Sequence, residues 1–504
     1  MDPVVIFLIL AIPIASVYLL FYHKKRVNGL SSPPGPRGLP FIGHFYQIYK
    51  SPCAHEYISN LSKQYGSLMS LHLGSVPALV VSSAKMAQEV LKTQDLVFCS
   101  RAQMTGSGKL SYNGLEMAFA PYGEHWRNVR KMCTLELFTQ KRAQFNFRPV
   151  REDEVSRMVG RLSKAAAASE DVNAYECFTN FATSIISRVA FGKRYDEDNI
   201  GKEKFQRMVA DIDAMFAAFF VSDFFPMFGW IDRLSGVQAI LDRNFNEMDT
   251  FYQELIDEHL KPDRPESLNG DLIDVMLKNK GSFLTMDSIK AILLNVFNGG
   301  IATTGSALVF AMTALLRNQR VMKKAQEEVR SVIGKKEIVD EDDIQKLPYL
   351  RAVVKETLRL YPPGPLLIPR VSMESSILGE DEDHMYMIKP NTIVYVNTWG
   401  IGRDPKYWKN PLEFMPERFF ERPDLNYTGQ QFEYLPFGSG RRICAGIIIG
   451  QNNVEVGLAN LLYNFDWEPP AGKTFEDIDD QPCNGLTLAK KNPLYIRPKI
   501  YVHP

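Results

Sequence analysis

The sequence predicts a mainly α domain with small β-sheets at its side, standing behind an N-terminal transmembrane anchor. Three observations carry that prediction. Apolar side chains recur at helical spacing through most of the stretch from about residue 84 to 365. Short clusters of β-formers occur only to either side of that stretch. The first two dozen residues are apolar and uncharged and then stop on a basic cluster.

Taken in order, Val4 to Tyr22 carries no charged side chain over 19 positions, enough helix to cross about 30 Å of hydrocarbon. Pro13 is tolerable inside a membrane helix. His23, Lys24, Lys25 and Arg26 follow at once, while the other end offers only Asp2 and the amino terminus. The positive-inside bias then places everything beyond the anchor, residues 1–26, in the cytosol, on the endoplasmic reticulum membrane. A cleaved signal peptide fits less well, because a basic n-region and a small-x-small cleavage site are both missing. Residues 27–40 include S-S-P-P-G-P-R-G-L-P, where each proline removes a donor and fixes φ, so the stretch reads as a stiff hinge. Residues 41–504 read as one large domain without an internal repeat.

Within that domain, 67–73 and 78–82 suggest a hairpin around Gly74. Helical periodicity is strongest over 84–93, 143–167, 177–191, 240–260, 288–317, 320–333, 347–360 and 452–465. Further β signals fall at Ile377, 386–388 and 392–397, and in the tail at 486–489 and 494–502. Lys+Arg and Asp+Glu both number 58, so overall charge gives no argument for nucleic-acid binding. The six cysteines (53, 99, 133, 177, 444 and 483) show no paired spacing. They form neither a zinc framework nor a disulfide scaffold and suit a reducing compartment.

Four constellations carry chemistry. Residues 437–446 read F-G-S-G-R-R-I-C-A-G, with Cys444 behind two glycines and two arginines and ahead of an apolar helix. Gly438 and Gly440 permit a tight turn. A cysteine at the entry to a helix meets free N–H groups and the positive helix end, which favour a thiolate and hence a soft metal ligand; an inert buried cysteine is the plainer reading. Glu356 and Arg359 share one helical face, and P-E-R-F supplies a second arginine, Arg418, ahead of the cysteine loop. Trp126 and Arg130 share another face and together suit an anionic group, although a half-buried tryptophan beside a solvated arginine gives the same spacing. Residues 298–304, N-G-G-I-A-T-T, put two glycines inside a helix, at about 1 kcal/mol each relative to alanine. The return is close approach of a ligand to the helix, with Thr303 and Thr304 beside it, or simple packing of a second helix.

Together these pieces resemble the cytochrome P-450 family, the haem-thiolate monooxygenases. The cysteine loop matches F-x-x-G-x-R-x-C-x-G through Phe437, Gly440, Arg442, Cys444 and Gly446, with E-x-x-R upstream. The wording L-P-Y-L-R-A-V-V-K-E-T-L-R-L-Y-P-P looks most like the plant microsomal members, the family-71 clan. The resemblance implies haem b with Cys444 as the iron ligand, Phe437 packed near the sulfur, and Gly446 closing the loop. It implies that Trp126, Arg130, Arg370 and Arg442 hold the haem propionates and that Glu356, Arg359 and Arg418 form a structural lock. Thr303 would help deliver protons to dioxygen, the co-substrate. Here the chain departs from the family's A/G-G-x-D/E-T-T/S: the acid is replaced by Ala302.

The implied activity is insertion of oxygen from O2 into a lipophilic small molecule of plant specialised metabolism. Electrons would come from NADPH through a separate cytochrome P-450 reductase, with cytochrome b5 as a further donor, since the chain has no nucleotide-binding glycine fingerprint. The reductase would dock where Lys131, Arg130 and Arg441 offer positive charge. At Ala302 a substrate hydroxyl or ordered water would replace the carboxylate, or another acid would reach the site from elsewhere, or the enzyme would be an isomerase, dehydratase or cyclase without net oxygen insertion; a haem sensor or carrier is a separate alternative. By family placement the substrate pocket would include Phe119, a helix around 216–220 with Phe216 and Phe220, Leu366, Leu367 and Leu486.

Overall fold

The computed structural model describes residues 30–503 except 195–198, 263, 265–269, 282 and 484. The expected anchor, 1–26, lies outside the described residues. The body is helical: α1 (Ala54–Tyr65), α2 (Glu124–Met132), α3 (Arg148–Ala167), α4 (Ala174–Phe191), α5 (Asn199–Phe216), α6 (Val237–His259), α7 (Met286–Arg317), α8 (Gln319–Ile333), α9 (Pro348–Leu360) and α10 (Ile447–Asn464), joined by shorter turns of helix.

Helix α7 is the axis. Thr285 caps it by accepting a bond from the Ser288 N–H, and its 32 residues span about 48 Å at 1.5 Å each. It is apolar all round because α4, α9 and α10 pack against it. It is also long and apolar enough to cross a membrane, but 78% of its most apolar window is buried inside the fold, which makes it a core helix. The glycines do not break it. A Cβ at Gly300 would stand 2.5 Å from Ile186 Cδ1, and one at Gly305 would stand 2.8 Å from Thr179 Oγ1, so these two glycines let α4 lie close against α7.

The strands form small sheets. β1 (Leu68–Leu73) and β2 (Val76–Val81) make the expected antiparallel hairpin, with Leu71 opposite Ala78. β3 is Val172–Asn173, β4 Arg370–Val371, β5 Ser376–Gly379, β6 Met385–Ile388, β7 Ile393–Val396, β8 Phe465–Glu468, β9 Pro482–Cys483, β10 Ala489–Lys490 and β11 Tyr495–Ile500. The order β1-β2-β7-β4 gives one mixed sheet in which β7 runs parallel to β2, and β3-β11-β8 gives another; β5-β6 and β9-β10 are hairpins.

Three expectations change. The helix read over 143–167 is two, because the chain breaks at Asn146 and Phe147 before Pro149 opens α3. The helix read around 216–220 ends at Phe216, and a separate turn begins at Val221. The proline-rich hinge is not a free spacer where it is described. Ser70 N–H donates to the Pro34 carbonyl at 2.8 Å and Met387 N–H to Ser31 at 3.1 Å, so residues 31–34 lie along β1 and β6.

The loop leading to the cysteine is fixed to α9 by one buried carboxylate. Arg359 Nε and Nη2 donate to Glu356 at 2.7 and 2.8 Å, and Arg418 Nε donates to it at 3.0 Å. The remaining donors reach backbone carbonyls, Arg359 on Pro411 at 2.8 Å and Arg418 on Lys409 at 2.8 Å, while Met415 N–H donates to Glu356 at 2.8 Å. Removing the carboxylate leaves two cations buried without a partner. Glu356→Ala is therefore expected to cost about 3–5 kcal/mol of stability, read as a lowered denaturant midpoint, whereas Glu417→Ala, at a partly exposed site, is expected to cost less than about 1 kcal/mol.

Candidate active site

The cysteine loop is built as its glycines require. Gly438 and Gly440 both take φ of 70°, the left-handed region that side chains resist. A Cβ at Gly440 would also meet the Leu91 carbonyl at 2.0 Å. Cys444 N–H donates to the Phe437 carbonyl at 3.0 Å, closing the loop, and α10 begins three residues after the cysteine. Phe437 packs edge-on against Tyr427 at 5.3 Å, and a Cβ at Gly446 would lie 4.0 Å from the Cys444 sulfur.

Cys444 is exposed, yet its thiol is pushed up by burial, with the Gly446 N–H and Arg130 pulling the other way. Both hold if the sulfur faces an internal void enclosed by protein. In the protein alone, burial opposes the helix end, so the expected thiolate belongs to the sulfur bound to a cation, which would remove its proton. On α7, Gly299 is likewise exposed in the middle of a core helix, and nothing lies within 4 Å of where its Cβ would be. Thr303, one turn on, donates its hydroxyl to the Gly299 carbonyl at 2.6 Å. Thr304 is buried and does not share this face. The adjacent glycines therefore differ in use, Gly300 packing α4 and Gly299 opening onto space.

The segment 116–120 joins the two walls. Asn295 of α7 accepts from the N–H groups of Met117 and Ala118 at 3.2 and 3.1 Å. From the cysteine loop, Arg442 donates to the carbonyls of Cys99, Met117 and Ala120 at 2.7, 3.1 and 2.6 Å. Trp126 Nε1 donates to Met117 at 3.0 Å, and Arg442 stacks over the Trp126 ring at 4.2 Å. Arg130 donates to the Ile443 carbonyl at 2.6 Å. Arg370 reaches Asp95 at 3.1 Å and the Ser439 carbonyl at 3.0 Å.

Arg101 belongs to this group although its sequence context gave no signal. It is buried and donates to the carbonyls of Ala118 at 2.8 Å and Pro369 at 3.0 Å. Burial, then Arg442 and Arg370, hold its guanidinium well below its ordinary value. Burial lowers Arg442 to about 10 and also depresses Arg370 and Arg130. Four buried or partly buried cations beside one void, with Asp95 and Glu116 as their nearby acids, suit a dianionic group. Glu116 is itself pushed up by burial and spent on the N–H of Phe119 at 2.7 Å. The residues present fit haem: a sulfur facing the void, guanidiniums for two carboxylates, and a glycine-lined helix opposite.

The pocket residues divide. Phe119 and Phe216 stack at 4.8 Å. Leu367 approaches the cysteine loop at Gly438, to within 3.6 Å of where its Cβ would be, and holds φ of 52°. Leu366 is partly buried against the β1-β2 cluster. Phe220 is corrected: it is 1% exposed, with its ring against Gly106 in the core. Leu486 is exposed in the β9–β10 turn.

The contrast between void-facing and packing glycines of α7 is testable. Gly299→Val is expected to fold with unchanged stability, because its side chain meets open space, and to weaken binding of type-defining ligands at least about tenfold by filling the void. Gly305→Val is expected to lower stability by about 1–3 kcal/mol through overpacking against Thr179. Thermal melts and ligand titrations on the two variants separate the effects.

The cytochrome P450 family model matches residues 33–497. Xanthotoxol synthase from Pastinaca sativa is 97% identical over 504 residues, the whole of both chains. 6,7,8-Trihydroxycoumarin synthase from the same plant is 74% identical over 504 residues, again covering both chains. Cytochrome P450 71B36 from Arabidopsis thaliana is 42% identical over 490 residues, 96% of each chain. Among solved structures, a zebra fish cytochrome P450 with progesterone superposes with a TM-score of 0.76 at 25% identity, covering 88% of this chain and 99% of that one. The chain belongs to the cytochrome P450 family and is a monooxygenase-type oxidoreductase of plant specialised metabolism.

Proposed function

We propose that this cytochrome P450 hydroxylates a flat, fused-ring coumarin-type lactone, with xanthotoxol as the product. The carrying observation is the 97% identity to xanthotoxol synthase over the entire chain, supported by the relative whose product is a trihydroxycoumarin. The stacked Phe119 and Phe216 offer aromatic faces to a planar substrate.

Cys444 would hold the haem iron, and Arg101, Arg130, Arg370, Arg442 and Trp126 would hold the propionate side; the bound group supplies dioxygen activation. The chain's own contributions follow from its contacts. The Gly446 N–H donates to the sulfur and tempers its electron density, while the Phe437 carbonyl holds the Cys444 N–H. Asn295 and Arg442 fix segment 116–120, which puts Phe119 over the void. Thr303 holds its proton on the Gly299 carbonyl, and breaking that bond frees a hydroxyl to donate toward the oxygen side.

Electrons would come from NADPH through a separate flavoprotein reductase, with cytochrome b5 as an auxiliary donor. Lys131 and Arg127 are exposed beside the cysteine loop and suit an acidic partner. Arg130 is turned inward onto the Ile443 carbonyl, on the propionate side, and Arg441 is partly paired with Asp95 at 3.3 Å, so neither is as available to a partner as Lys131 and Arg127.

Residues 1–26 would anchor the protein in the endoplasmic reticulum membrane with the catalytic domain, 41–504, in the cytosol. An apolar patch supports this reading. Phe41, Met227, Phe228, Trp230 and Leu234 are all at least half exposed. Phe45 joins their two segments, with ring centroids 5.0 Å from Phe219 and 4.6 Å from Phe224. Such a patch suits a lipid surface.

Two outcomes check these readings. Microsomes with reductase, NADPH and the xanthotoxol skeleton lacking its hydroxyl are expected to give xanthotoxol carrying one oxygen atom from labelled dioxygen; an unlabelled product of equal mass to its substrate would favour the rearranging alternative. Protein lacking residues 1–26 is expected to keep weak vesicle binding, lost on Met227→Asp with Trp230→Asp in flotation assays.

A further inference from the structure

Position 302 carries a methyl group where the family motif has a carboxylate, but an acid stands one helical turn away. Asn298 Nδ2 donates to Asp213 Oδ1 at 2.7 Å, joining α7 to α5. Asn298, Ala302 and Gly305 lie four and three residues apart, so they form one stripe of α7. That stripe faces α4 and α5: Asn298 meets Asp213, and Gly305 meets the Thr179 hydroxyl. Ala302, between them, is only half-buried in the middle of a core helix. Thr303, next in sequence, begins the stripe that faces the void. Phe216, one turn after Asp213, stacks on Phe119 at 4.8 Å, so α5 roofs the same space.

We propose that Asp213 is the proton-donating acid of this pocket, moved from position 302 to α5 and held in place by Asn298. Each turnover takes RH, dioxygen, two electrons and two protons to ROH and water, the electrons coming from NADPH through the flavoprotein reductase. Asn298 occupies Oδ1 and leaves Oδ2 free to carry a proton. Asp213 gives that proton up through solvent beside Ala302 toward the Thr303 hydroxyl. It regains one from bulk at the edge where Tyr175 of α4 is exposed, so its own charge returns to the start each time.

The surroundings suit the task. Burial raises the Asp213 carboxyl to about 6, close to working pH, where a general acid is most effective. Tyr175 of α4 is the titratable group whose own ionisation feels the Asp213 charge. From the helix Thr105–Leu110, Lys109 is paired instead with Asp242 of α6 at 3.3 Å. Asn244 of α6 bonds the Asp211 carbonyl at 3.4 Å.

The inference rests on the oxygen-inserting reading above, and the experiment separates the two. A wild type that places no labelled oxygen in its product fails that reading; a wild type that does, with an indifferent Asp213→Asn variant, fails only this one. In haem-loaded protein whose carbon-monoxide spectrum keeps the thiolate form, Asp213→Asn is expected to cut product formed per NADPH about a hundredfold, the low side of what a positioned acid contributes, with peroxide released instead. Asp213→Glu, and Ala302→Asp added to Asp213→Asn, are each expected to recover most of the loss. Infrared pH titration of the resting protein supplies a readout without turnover. A protonated-carboxyl band with a midpoint near 6 is expected in the difference between wild type and Asp213→Asn, which cancels the contribution of Glu455, itself raised by burial to about 6. Unchanged coupling, a loss that neither rescue restores, or the absence of that difference band would each overturn the proposal.

Discussion

Glu356 is a carboxylate with no exposed surface, held between two guanidiniums with little exposure of their own, and much of the molecule's order follows from how that arrangement is satisfied. One acid does not neutralise two arginines, so the excess charge is met by carbonyls at 402, 409, 411 and 413. Those carbonyls belong to the long irregular stretch that delivers the chain to the cysteine loop. A stretch with no ladder of its own is thereby fixed to α9, and α9 is fixed to α7. The position of Cys444 relative to the opposite wall is inherited from this network rather than from anything local to the cysteine.

The void carries the opposite kind of constraint. Its rim gathers Arg101, Arg130, Arg370 and Arg442 with fewer acids than cations, and burial lowers the basicity of every one. Such an arrangement is costly while no anion is near and becomes favourable once one arrives. Stability and ligand loading are therefore coupled: the group that completes the site also relieves the repulsion built into it.

Much of this was legible in the sequence because the motifs are local. The cysteine loop announces itself through glycines that must take positive φ, and Glu356 and Arg359 through an i,i+3 spacing that the helix honours. The hairpin at Gly74 and the apolar period of α7 were equally plain. What escaped depends on contacts distant in sequence. Arg101 reads as an ordinary arginine until Ala118 and Pro369 are folded around it, and Phe220 reads as a pocket aromatic until Gly106 receives its ring. The helix end that favours a Cys444 thiolate is visible in sequence, whereas the enclosure that opposes it until a cation binds is not. The hinge misled for a related reason: prolines report stiffness but not the strand edge a stiff segment lies against.

Gly299 and Gly300 are consecutive, yet one faces empty space and the other the side chain of Ile186. Along this part of α7, residues that shape the cavity alternate with residues that hold the helices together, at intervals of a single position. Substitution in one register changes what is admitted, and substitution in the other changes whether the chain holds its shape. A lineage drifting in the first register alone can exchange one ligand for another while its scaffold stays fixed, so specificity can diverge among close relatives through very few replacements.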